Sequence, residues 1–157
     1  MNEKLKQQLA KTAKTLCEYY GIADQTNRVD TILPGVRIFR IDRYHKLAPQ
    51  MYEQGIVIIF QGNKIGCVNQ HQFGYDVERC LIVTTPYPIS CETFASPEMP
   101  LMGINIDLDI NVISELVSLM QLEKTVLENR RYALWCGDIA NDRANVPLYV
   151  GIIISFA

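Results

Sequence analysis

His45 and His71 are the chain's two histidines, and no His-x-His pair occurs. A mononuclear metal site built on imidazole needs two or three such ligands with a carboxylate in register. His45, between Tyr44 and Lys46, reads instead as an exposed loop or strand-edge residue, and His71 lies in the turn-like polar run Asn69-Gln70-His71-Gln72. The five cysteines, Cys17, Cys67, Cys80, Cys91 and Cys136, are odd in number and show no Cys-x-x-Cys spacing. They read as small buried hydrophobes in a reducing compartment. No Gly-x-Ser-x-Gly occurs, and no glycine-rich loop opens a helix to cradle phosphate. The expectation is a protein that is not an enzyme and carries neither metal nor cofactor.

The polar residues that remain concern binding. Gln61 and Lys64 flank Gly62-Asn63, a pair able to take positive φ in a two-residue hairpin. On the plainer account they pair across that turn in solvent. Tyr52 and Tyr75 either offer a hydroxyl inside a pocket or pack at a barrel rim with one wet end. Phe60, Met102 and Ile104 line a cavity if one exists, and otherwise are core.

Positioning these residues requires a β-rich scaffold. Leu5, Leu9, Ala13, Leu16, Cys17 and Tyr20 recur in steps of three and four, which predicts an amphipathic helix stopped by Gly21. Residues 31–108 are then rich in β-branched and aromatic side chains and are broken at short intervals by Gly, Pro or Asn, as in a sandwich or barrel. Strands are predicted at 36–41, 56–60, 72–75, 80–85, 89–95 and 101–108, with a further arm after Gly62-Asn63. The runs Pro86-Tyr87-Pro88 and 96–100 are read as turns. Residues 56–60 are apolar at every position, so both faces need cover, one by the barrel interior and one by the N-terminal helix or a partner subunit. In the last strand, alternation places Met102, Ile104, Ile106 and Leu108 on the inner face. Beyond Asp109, a candidate N-cap, helical spacing returns with Ile113, Leu116, Val117, Met120 and Leu127. The predicted plan is one domain: a helix at 1–21, a β-barrel at 31–108, a helix at 110–128, and a tail at 129–157 that could be a strand or altered sequence.

With 157 residues, 48% of them hydrophobic, the chain can build one core. Its net charge of −2 supplies no cationic excess for phosphates. Lys4, Lys6, Lys11 and Lys14 are partly offset by Glu3 and Glu18 and read as a solvated helix face. No apolar run of signal-peptide length opens the chain, and the apolar stretch 146–157 is shorter than the ~20 residues of a spanning helix. A cytoplasmic protein without a membrane partner is expected.

Four stretches resemble the N-terminal domain of AraC-type bacterial transcription regulators: TILPGVRIFR (31–40), MYEQGIVIIFQGNK (51–64), FGYDVERCLIVTTPYPI (73–89) and ASPEMPLMGINIDLD (95–109). The likeness fades beyond about Lys124. It implies a mainly β, cupin-like jelly-roll barrel that senses a small molecule or assists homodimerisation. In full family members it controls a helical DNA-binding half with two helix-turn-helix units, which is not read in this chain, so DNA would be met only through that half. On this reading Tyr52, Phe60, Gln61, Lys64, Tyr75, Met102 and Ile104 are the ligand-binding candidates, and the family pattern makes Lys64 a candidate anchor for an anion. Ile113, Leu116, Val117 and Met120 are the candidate dimer seam. Competing readings are a ligand-free dimerisation scaffold and a cupin-type metal enzyme.

Overall fold

The computed structural model describes residues 2–109, 111 and 134–138. Helix α1 (Glu3–Tyr19) begins where the Asn2 side chain accepts the Leu5 amide at 2.9 Å. It ends at Gly21, whose φ of 70° lets Gly21 N–H reach the Glu18 carbonyl and Ile22 N–H the Cys17 carbonyl. That paired closure also sets Ile22 against Cys17 in one apolar cluster, fixing the angle at which the chain leaves the helix.

Ten strands follow: β1 (Asn27–Asp30), β2 (Val36–Ile41), β3 (His45–Tyr52), β4 (Gly55–Gln61), β5 (Asn63–Val68), β6 (His71–Asp76), β7 (Arg79–Val83), β8 (Tyr87–Phe94), β9 (Leu101–Asp107) and β10 (Leu134–Asp138). They form two sheets, ordered β1-β2-β9-β4-β7-β10 and β3-β8-β5-β6, with the strand pairs antiparallel. Consecutive strands from β2 to β5 alternate between the sheets, and β6 to β9 return in the same manner. That connectivity is the double-sheet jelly roll, and the fold is cupin-like.

The pleat divides the apolar residues into two clusters. Phe39, Val57, Ile59, Leu81, Val83 and Leu101 from one sheet meet Val68, Phe73, Tyr75, Ile89 and Cys91 from the other inside the barrel. On the outer face of the first sheet, Ile38 and Met102, with Phe60 and Ile104 beside them, pack under Ala13, Cys17 and Ile22. Helix α1 is thus the cover that the unbroken apolar run 56–60 demanded. Burying one such side chain as Ile38, 1% exposed, contributes about 1.5–3 kcal/mol.

Four expectations are corrected. Gly62-Asn63 does not make a two-residue hairpin, because β4 and β5 belong to different sheets. Gly62, with φ 87°, is where the chain crosses between the walls, and a Cβ there would stand 2.9 Å from Leu101 Cδ1. The tight hairpin lies one strand later, where Val68 pairs with His71 around Asn69 (φ 45°) and Gln70 (φ 71°). His71 accordingly opens β6 rather than sitting in the turn.

In β9 the inner face belongs to Leu101 and Gly103, while Met102 and Ile104 turn outward to the helix. The reason is steric. A Cβ on Gly103 would stand 2.3 Å from the Ile58 carbonyl oxygen and 2.6 Å from Phe39 Cζ, so that position must be glycine for the Phe39 ring to lie across it.

Tyr87 and Pro88 belong to β8 rather than to a turn. β3, which no alternation announced, is among the described residues an edge strand paired with β8 alone, with a register shift between His45 and Ala48 and Pro49 within it. The seam proposed at Ile113, Leu116, Val117 and Met120, and the helix carrying it, lie outside the described residues.

Candidate functional site

Lys64 follows the crossover at Gly62 by two positions, and the pleat of β5 sends it inward along with Gly66 and Val68. It is 7% exposed, which overturns the expectation of a solvent pair with Gln61. Gln61 instead donates to the Pro100 carbonyl at 2.8 Å, tying β4 to the loop before β9.

Across the inner wall, register sets Lys64 between Thr93 of β8 and Tyr75 of β6. Tyr52 comes from the far edge, on β3. The Lys64 ammonium donates to Tyr52 Oη at 2.7 Å and to Gln50 Oε1 at 3.4 Å. It also stands 5.3 and 5.9 Å from the ring centroids of Tyr52 and Tyr75, within cation–π range. Tyr52 Oη lies 2.6 Å from Tyr75 Oη, and Cys91 Sγ is 3.3 Å from the first and 3.7 Å from the second. Four side chains from four strands therefore form one buried polar chain.

Electrostatics follow from burial. Desolvation by burial lowers the Lys64 pKa below 10.5, with Cys91 acting in the opposite direction and not cancelling it. Burial first, then the charge and hydrogen bond of Cys91, raises the Tyr52 hydroxyl well above 10, and burial does the same for Tyr75. Both phenols stay protonated and able to donate at neutral pH.

This polar chain reaches a cavity of about 400 Å³ between the two walls, within the size range of small-molecule sites. Phe39, Ile41, Val57 and Met51 give it apolar surface; Lys64, Gln50 and Tyr52 give it a polar floor. Arg28 and Arg37 share the inner face of the first sheet with Phe39. Arg37 bonds Asp107 through one terminal nitrogen and Glu53, at 3.5 Å, through the other. Its Nε is buried with no hydrogen-bond partner.

Of the residues singled out by sequence, the cavity brings Tyr52 and Lys64 together, and Tyr75 adjoins them through its hydroxyl. Phe60, Met102 and Ile104 lie under α1, on the opposite face of the sheet from the barrel interior, and are not cavity residues. Sequence reasoning missed Gln50, Cys91, Arg28 and Arg37. Arg37 was available in the quoted stretch 31–40, where it alternates with Phe39; the other three depended on strand registers that the sequence does not print. Among the described residues no three His, Cys, Asp or Glu side chains converge as metal ligands. Among them, too, no helix is long and apolar enough to cross a membrane.

The architecture and its polar-floored cavity define a cupin-like barrel domain. Within that class the chain belongs to the AraC-type transcriptional regulator N-terminus family, whose model matches residues 32–142. No curated protein sequence matches it. Solved structures of related shape include apo ToxT from Vibrio cholerae, at 9% identity and a TM-score of 0.45 over 71% of this chain and 44% of that one. Salicylate 1,2-dioxygenase from Pseudoaminobacter salicylatoxidans is similar at 12% identity and a TM-score of 0.37, over 88% of this chain and 38% of that one. The chain spans less than half the length of either structure.

Proposed function

We propose that this domain is the effector-sensing part of its transcription regulator, taking a small molecule into the cavity at Lys64 and passing occupancy to a DNA-binding half. The observation that carries this is the coincidence of apolar walls with a buried, hydrogen-bonded polar floor at one mouth of the barrel. Burying polar groups costs free energy, and a scaffold that only needed to fold would fill the same space with hydrocarbon. Binding between the walls also has a route outward, since Lys64 and Gly62 stand at the crossover joining the two sheets.

Titrating the domain with a metabolite panel and following backbone amide resonances tests the proposal. A true effector shifts Phe39, Val57, Tyr52 and Lys64 together and raises Tm, because it binds only the folded form. Ile41→Trp, which fills the cavity, should abolish both effects. A panel that moves none of these amides, or that acts equally on Ile41→Trp, defeats it. Homodimerisation belongs to the same proposal and is read by sedimentation; a monomer at micromolar concentration removes it.

A further inference from the structure

Charge bookkeeping around the cavity goes further than the presence of a site. Three cationic side chains face it, Arg28, Arg37 and Lys64, against two carboxylates, Glu53 and Asp107. Arg40 also borders it, but its guanidinium is paired with Asp42 at 3.1 Å. Both cavity carboxylates are taken by the Arg37 guanidinium. Lys64 is left with a hydroxyl, an amide oxygen and two aromatic rings.

The net balance is therefore one positive charge, and of the two cations left without a carboxylate, Arg28 is exposed and Lys64 is the buried one. A lone charge out of water is costly, and an incoming anion that pairs with it recovers Coulomb energy in a medium where such pairing is strong. Tyr52 adds a hydroxyl within reach of the same spot. Glu53 and Asp107, both bound to the single Arg37 guanidinium, leave that group with a net negative charge that opposes a second anion. Phe39, Ile41, Val57 and Met51 line the same cavity and suit hydrocarbon.

Given an effector-binding cavity, we infer that its ligand is an organic monoanion with an uncharged apolar body, its carboxylate-like head paired with Lys64 and Tyr52, and that dianions are rejected. Lys64 is then the specificity-determining residue, selecting charge, while the apolar walls select bulk.

Three matched probes test this on the 157-residue chain by calorimetry and thermal shift: octanoate, octanol and octanedioate. Octanoate is expected to bind at least about tenfold more tightly than either of the others, corresponding to about 1.4 kcal/mol. In Lys64→Met the preference should vanish, octanoate falling to the level of octanol. The comparison among probes on the unmodified chain stands even if the variant fails to fold. Octanol binding as tightly as octanoate overturns the charge selection and leaves the effector cavity intact. Octanedioate matching octanoate overturns the exclusion of dianions and with it the charge balance. Absence of binding by all three, together with a metabolite panel that moves no cavity amide, overturns the site itself.

Discussion

The hydroxyls of Tyr52 and Tyr75 lie 2.6 Å apart, although they come from opposite edge strands of one sheet, β3 and β6. Between them run β8 and β5, which contribute Cys91 and Lys64 to the same contact. Tyr52 is shared by three neighbours, so removing its oxygen strands more than one partner. Tyr52→Phe is expected to lower stability by about 1–3 kcal/mol in urea denaturation, against under about 1 kcal/mol for Tyr44→Phe at an exposed position. Equal effects would show that the buried chain contributes nothing particular.

Lys64 itself should behave in the opposite sense in the unliganded domain. Its folded pKa is depressed by burial while the unfolded value stays near 10.5, so the unfolded chain binds more protons between those two values. Stability contributed by this group therefore rises as pH increases through the folded pKa. Lys64→Met is expected to be as stable as the parent or more so by about 1–3 kcal/mol, having lost an uncompensated buried charge. The rise of Tm with pH over the alkaline range below the unfolded value of 10.5 should be smaller in the variant. A parent chain whose Tm falls over that interval in the same way as the variant's contradicts this account.

Asp42 provides an acid-side counterpart. The hydroxyl of Thr26 donates to it at 2.6 Å, and with Arg40 and Arg43 nearby its pKa falls from 3.8 to about 2. Its contribution is present above the unfolded value and is lost as pH drops through about 2. Asp42→Asn should therefore shift Tm downward at neutral pH and converge with the parent in strong acid. Parallel Tm profiles across that window would count against the assignment.

Gly103 carries the crossing of the Phe39 ring. Gly103→Ala places a methyl against the Ile58 carbonyl, a backbone atom that cannot swing aside, and should cost about 1–3 kcal/mol or more. Combining it with Phe39→Leu relieves the ring clash but not the carbonyl clash, so the double variant should recover only part of the loss. Full recovery in denaturant titration would place the strain in the ring alone.

Asn69 and Gln70 both hold positive φ in the β5–β6 turn. Glutamine gains nothing from that conformation, whereas Asn-Gly is the favoured pair for it. Gln70→Gly is expected to stabilise by about 0.5–1 kcal/mol, the relief of a left-handed residue less the extra chain entropy of glycine. A loss of stability would show that the Gln70 side chain holds the turn.

Much of the scaffold was legible from periodicity. Strand β2 was bounded residue for residue, and β4, β7, β8 and β9 within one or two positions, because their apolar runs are long and bounded by Gly or Pro. β3 escaped because its residues are mostly exposed and include Pro49, so neither alternation nor propensity announces it. The false hairpin at Gly62-Asn63 has a plain cause: the local requirement for positive φ at a sheet-to-sheet crossing is met by the same residues as a tight turn. The site was half readable. Tyr52, Lys64 and Tyr75 carry functional groups that sequence can flag, but their convergence is set by pairings of β3 with β8 and β5 with β6, separations no local pattern encodes. Met102 and Ile104 were misassigned because the apolar set of β9 faces α1, an apolar layer outside the barrel, and only the glycine at 103 reveals which face is crowded.

Pro49 lacks an amide hydrogen, and its place in β3 gives that absence a consequence. It breaks the row of amide donors along β3, the open margin of the smaller sheet, so a neighbouring molecule finds an interrupted template for strand addition there. Among the described residues no strand pairs with the outer side of β3, so the proline there limits the addition of a further strand from another molecule.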